Sequence, residues 1–338
     1  MTLDFKKASQ SFDQLPFKER LQSIFSLLKN TLTIVGRDRD IVKPWVRMMI
    51  YHFFMVSFFF YAWFGWFYEL PGEGWSLFAA FLLFLYKHFY NNRQEMRLSW
   101  IVNETLIGHD PSYKGAKKDW KQIKSQTRKV AWLDIAMAFV DKAKYFGSGF
   151  MYMLIRLFIS GLDEVWDLAN HYLIPSVAID KLDLKPALKR MKKLKDEVPE
   201  TLVGVFGIDF IGSVVARVTI PTYIELVILA IAAGYFGTAY LPSSSVTVSG
   251  SAVAFSWVPI VAALYIGKLF STLFERCVTA VKVIYFTVFY TKITHPASIM
   301  EELQEELVDY LKLKHVEQVD KLDEQELEEK GSVRPATT

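Results

Sequence analysis

The chain has 338 residues, 52% apolar, 15% aromatic and 22% charged, with a formal net charge of +3. An apolar share above the globular norm, with 27 Phe, 16 Tyr and 9 Trp, points to a membrane protein that keeps sizeable water-facing parts. The single cysteine, Cys277, excludes a disulfide framework and a cysteine-based zinc site.

Residues 1–43 form a cytoplasmic N-terminal amphipathic segment. It carries no apolar core of a cleavable signal, so the first span is expected to act as an uncleaved anchor. Apolar residues recur at helical spacing over 17–35 (Leu21, Ile24, Phe25, Leu28, Leu32) among Lys18, Arg20 and Lys29, which reads as a basic amphipathic helix on the membrane surface or on its own bundle. Gly36 ends it, and Arg37, Asp38, Arg39 and Asp40 make a charged turn.

A transmembrane hairpin is expected over 44–90. No Lys, Arg, Asp or Glu occurs from Met48 to Tyr68, and about 20 apolar residues cross a bilayer core. Trp63, Trp66 and Tyr68 mark the far interface, 71–74 is a tight turn, and 75–90 returns. Residues 91–145 are a basic cytoplasmic region, with Arg93, Arg97, Lys114, Lys117, Lys118, Lys121 and Lys124 among its cations.

The region 146–221 is read as re-entrant or interfacial helices with a basic loop. Its apolar part 146–179 lies between Lys144 and Lys181, so it enters and leaves on one side, and it is shorter than the roughly 40 residues that two crossings need. The loop 181–195 is lysine-rich, and 201–220 is apolar except for Asp209 and Arg217. A second transmembrane hairpin with an exit helix follows over 222–292. Span 223–240 contains Glu225, the uncharged 241–250 suits a short β-hairpin outside the membrane, and 252–272 returns. Residues 273–290 carry Glu275, Arg276 and Lys282, as a helix leaving the bilayer would. The remainder, 293–338, is an acidic cytoplasmic tail.

Basic loops stay in the cytoplasm, so the two loops without Lys or Arg, 71–74 and 241–250, are the outer ones. The expected fold is therefore all-α: a polytopic helical membrane protein with four transmembrane helices, amphipathic interfacial helices and a cytoplasmic helical part. If 201–220 and 273–290 also cross, the number rises to six. Either version places the chain in the cell (inner) membrane with both termini cytoplasmic.

Few polar positions lie inside the apolar segments. Asp163, Asp167 and His171 fall at i, i+4 and i+8 and share one helix face, a candidate metal-cation or proton site. A polar stripe at the interface, facing nearby lysines, would use the same residues without any special geometry. Asp209 and Arg217, two turns apart, are intramembrane charges that could serve a pathway or pair with another helix, Asp209 with Arg156 for instance. Glu225, a third, sits near a helix N-terminus whose dipole favours it.

The stretch 163–210, a Trp-containing polar helix followed by HYLIPSVAIDKLDLKPALKRMKKLKDEVPETLVGVFGIDF, resembles a segment of uncharacterised prokaryotic multi-pass membrane proteins. Trp166, Pro175, Asp180, Ala187, Leu188, Lys189 and Gly204 stand in the corresponding roles. The resemblance implies the order of helical hairpin, basic loop and closing hairpin, and carries no activity with it.

The chain has no nucleophile elbow, phosphate-binding glycine loop or HExxH motif. The expectation is a non-enzymatic integral membrane protein without cofactor: a subunit, scaffold or assembly factor that binds partners through its cytoplasmic helices. The alternative is an oligomeric channel or transporter using Asp163/Asp167/His171 or Asp209/Arg217. Expected partners are membrane lipids, with anionic headgroups at the basic loops, and a second copy or another protein. Nucleic acid is not among them, because topology already explains the lysines.

Overall fold

A computed structural model describes residues 31, 33–143, 173–197, 220, 222–248 and 251–304. Helix dominates, and two antiparallel strands form the one sheet among the described residues. Helix α1 (Val42–Tyr68) and helix α2 (Glu73–Ile107) form an antiparallel pair, followed by α3 (Tyr113–Trp120), α4 (Lys124–Ala143) and α5 (Leu184–Glu197). Helix α6 (Thr222–Ala239) leads into strands β1 (Ser244–Val248) and β2 (Ser251–Phe255), and α7 (Val258–Thr294) packs against both α1 and α2.

Among the described residues, three helical stretches are long and apolar enough to cross a membrane: Arg39–Tyr68, Thr222–Ala239 and Val258–Thr294. The expected β-hairpin is present, with Ser244 opposite Phe255 and Val248 opposite Ser251. It consumes more chain than expected, because 252–255 belongs to β2 and the returning helix begins only at Val258.

The α1–α2 turn closes tightly. Glu69 takes a left-handed conformation (φ 52°) at the end of α1, and a Cβ on Gly65 would lie 2.7 Å from that of Glu73. Only glycine allows so close an approach.

Two helices exceed any membrane. At 1.5 Å per residue, α2 and α7 are about 52 and 55 Å long, against a hydrocarbon core of about 30 Å. Each changes environment along its length. Trp75, Phe78, Phe81 and Leu85 of α2 are exposed, whereas 94–99 is buried without a break. Ile266 and Phe270 of α7 are exposed, whereas 282–291 is buried throughout. Residues 273–290 are thus the continuation of the helix that begins at Val258 and make no separate return.

The buried stretches meet in the main hydrophobic core. Met96, Leu98 and Ile101 of α2 pack with Phe286, Phe289 and Tyr290 of α7, joined by Ile123, Val130 and Ala187. A smaller cluster, Val56, Phe60 and Val261, lies at the level of the apolar helix surfaces. The last residues of the segment read as re-entrant, Leu173, Ile174, Val177 and Ala178, are buried in the main core. So are Ile299 and Leu303, and the Met300 N–H donates to the Leu106 carbonyl at 3.1 Å. The first turn of the expected acidic tail is therefore a packed part of the fold. Its apolar positions at helical spacing supply the reason.

Hydrogen bonds register α2 against α7. Thr287 Oγ1 donates to Ser99 Oγ at 2.8 Å and Thr291 Oγ1 to Asn103 Oδ1 at 3.0 Å. Both pairs are separated by 188 residues, so α2 and α7 run in the same direction. Tyr68 OH donates to the Pro242 carbonyl at 3.4 Å. The two loops without Lys or Arg accordingly lie at one end of the helix bundle.

Helix α6 crosses α7 at Gly267, where any Cβ would enter the Tyr223 ring. A Gly267→Val substitution is expected to cost about 1–3 kcal/mol through overpacking. Gly74→Ala, at a position with nothing within 4 Å, provides the control. Thermal unfolding of both variants in detergent distinguishes them; equal midpoints would remove the α6–α7 contact from the fold.

Candidate functional site

Asp163, Asp167, His171, Asp209 and Arg217 lie outside the described residues, as do Trp166 and Gly204. Glu225 is exposed on α6, two residues beyond the Tyr223–Gly267 contact. Tyr265, near that level of α7, shares a hydrogen bond with Ser57 of α1 at 2.8 Å. Glu225 is thus level with the middle of the apolar bundle. Asp180 is a fixed carboxylate: it accepts from Tyr290 OH and from Arg190, and His295 Nε2 lies 2.8 Å from its other oxygen. That network ties the start of the basic loop to the end of α7.

A polar layer separates the two hydrophobic clusters. His52 of α1, Asn91, Asn92 and Glu95 of α2, and Arg276 of α7 are all buried there. Asn92 donates to Asp134 of α4 and to the His88 carbonyl, the latter at 3.1 Å. Burial pushes the Glu95 carboxyl up to about 7; Arg276 opposes the rise, and Asp134 and Glu275 add to it. Glu275 pairs with Arg276 from the adjacent position.

On the neighbouring face of α2 a second polar group has the opposite sign. Tyr90, Arg93 and Arg97 fall at i, i+3 and i+7, hence on one side of the helix. The Arg93 guanidinium carbon lies 5.0 Å from the Tyr90 ring centroid and 5.5 Å from that of Trp120. Arg97 lies 5.0 Å from Trp120 and 5.4 Å from Tyr113, whose other neighbour is Arg47 of α1 at 4.3 Å. Tyr51 and Tyr90 stack at 4.2 Å, and Tyr90 OH donates to the Arg47 carbonyl at 3.3 Å, which closes the circuit. Arg97 also donates to Tyr113 OH at 2.6 Å, and that hydroxyl donates to Gln94 at 3.0 Å. Burial holds the Arg97 guanidinium below its ordinary value, Tyr113 counteracts this, and Arg93 and Arg47 reinforce it.

Sequence reasoning passed over both groups. The Tyr-Arg-Arg spacing directly after a span was the available signal for the second. Nothing in NNRQEMRLSW marks Glu95 as buried, since its neighbours are polar.

Among the described residues no group of three or more His, Cys, Asp or Glu is arranged to hold a metal ion. No family model, curated protein or solved structure matches the chain.

Proposed function

We propose that this is a non-enzymatic, multi-pass membrane component that carries a compact helical body on the cytoplasmic face, as a subunit, scaffold or assembly factor. The observation that carries the reading is the continuity of α2 and α7, whose exposed apolar halves lead without a break into the buried core. Anchor and body move as one piece, which suits a protein that holds partners at a fixed distance and angle from the bilayer. Helix α2 then supplies a fourth span through 75–90, antiparallel to α1, with its exposed aromatic residues against lipid. The shared end of the two loops without Lys or Arg faces outwards, and the lysine-rich α3, α4 and α5 lie inside, against anionic headgroups and partner proteins.

Orientation is tested by labelling. In a Cys277→Ser background, a cysteine at exposed Ser245 should react with an impermeant maleimide added to intact cells, and one at exposed Lys118 should not. The reverse pattern would invert the protein. The role itself is tested by reconstituting the purified chain into liposomes, where cation and proton fluxes should match those of empty vesicles. The exposed carboxylate of Glu225 at mid-bundle is what favours the transport reading. Flux that disappears in Glu225→Gln would establish transport and overturn the scaffold.

A further inference from the structure

We infer that Arg47, Arg93 and Arg97, interleaved with Tyr90, Tyr113 and Trp120, form a binding site for a phosphate group, seated where α1 and α2 leave the apolar layer. The case begins with charge. Three guanidiniums gather around three rings, and among the described residues none of them is paired with a carboxylate. The nearest acids are committed elsewhere: Asp40 accepts from the Tyr113 backbone N–H at 2.6 Å and pairs with Lys43, and Asp119 pairs with Lys181 at 2.7 Å. Glu95, two positions from either arginine on α2, has Arg276 as its principal opposite charge.

Aromatic faces attract cations but do not neutralise them, so the cluster keeps a charge of three. Like charges gathered in a half-buried place repel strongly unless an anion joins them.

The second observation is a set of donors without acceptors. Arg97 is 4% exposed, and its Nε finds no hydrogen-bond partner among the described residues. The same is true of Arg93 Nε and Trp120 Nε1, both buried. Both guanidiniums lie over the Trp120 ring, whose own Nε1 is the third of these atoms, and all three are N–H donors. A buried donor left without a partner is costly, and three together call for an acceptor with several oxygens. Arginine forks match phosphate oxygens better than any other side chain does. The rings hold the forks in place, which reduces the entropy lost on binding. Arg47 is exposed and Arg93 partly so, which leaves a way in.

The phosphate can belong to an anionic lipid headgroup or to a soluble molecule. The lipid source rests on the membrane placement proposed above; the site itself does not. The test uses the full chain in discs of phosphatidylcholine, with or without phosphatidylglycerol, and separately with inorganic phosphate in phosphatidylcholine discs. Melting temperature and the anionic lipid retained in native mass spectrometry are read. Phosphatidylglycerol should raise the melting temperature and be retained. Arg93→Gln and Arg47→Gln should each weaken binding by about tenfold, as loss of one charge-assisted contact predicts. Arg47→Gln, at an exposed position, serves if the buried variants do not fold, and Lys117→Gln with Lys118→Gln controls for general surface charge. Stabilisation by inorganic phosphate that the arginine variants lose, without any effect of phosphatidylglycerol, keeps the site and overturns its lipid source and headgroup-level placement. No response to either probe, or an equal loss in the lysine control, overturns the site.

Discussion

Truncation of Phe286 to alanine is expected to lower stability by about 3–5 kcal/mol, the usual range for a large ring removed from a packed core. Phe286 is fully buried between α2 and α7. Phe270, four turns earlier on α7, is 54% exposed, and Phe270→Ala should change stability by no more than about 0.5–1 kcal/mol. The pair asks whether one helix has two environments. Denaturant unfolding in detergent, followed by tryptophan fluorescence, gives both values. Similar losses would mean that α7 is packed alike along its length, and the main core would no longer be distinct from the apolar bundle.

The second large effect is a dependence on pH. Glu95 binds its proton more tightly in the folded chain, near pH 7, than in the unfolded chain, whose carboxyl has its ordinary value near 4.5. Between these two values the unfolded form has released the proton and the folded form still holds it. Stability is therefore highest below about pH 4.5 as far as this group is concerned, and it declines as pH rises towards 7, then levels off. At about 1.4 kcal/mol per unit, the full decline is on the order of 3 kcal/mol. Glu95→Gln, which keeps the neutral shape, should be more stable than the parent at pH 8 and should lose most of the slope between pH 5 and 7. Thermal unfolding across that range reads both. A variant that follows the parent's pH profile would show that Glu95 is ionised in the fold at no cost. Arg276→Met, which removes the opposing charge, should push the titration higher still.

The two predictions concern residues of unequal legibility. Phe286 stands in VIYFTVFY, an apolar run that any reading assigns to a helix. Whether that run met lipid or a protein core was not readable, because both solvents select the same side chains. The buried Glu95 was less legible still. Its stretch looks solvent-facing, and only the packing of α2 among α4, α7 and the 173–178 segment removes it from water. The arginine–aromatic circuit draws on α1, α2 and α3, and local spacing reveals only its α2 part. The sites chosen from sequence, Asp163/Asp167/His171 and Asp209/Arg217, rest on helical periodicity alone and lie outside the described residues.

What the sequence determined by itself was the material of the helices and their polarity. Uninterrupted apolar length set α1, α6 and the upper part of α7, the loops without Lys or Arg pointed to a common side, and the β-prone run at 241–250 announced the hairpin. These are local properties, decided by transfer of side chains and by backbone preference within one segment. Tertiary structure alone decided where the exposed apolar half of α2 and α7 ends and the core half begins. It buried Asn91, Asn92 and Glu95 in a polar layer and Arg97 beside it, and it drew Leu303 out of an acidic tail into the main core. The reason is that burial depends on which distant surfaces meet, and a polar residue becomes buried when its helix neighbours have enough apolar area to carry it inside.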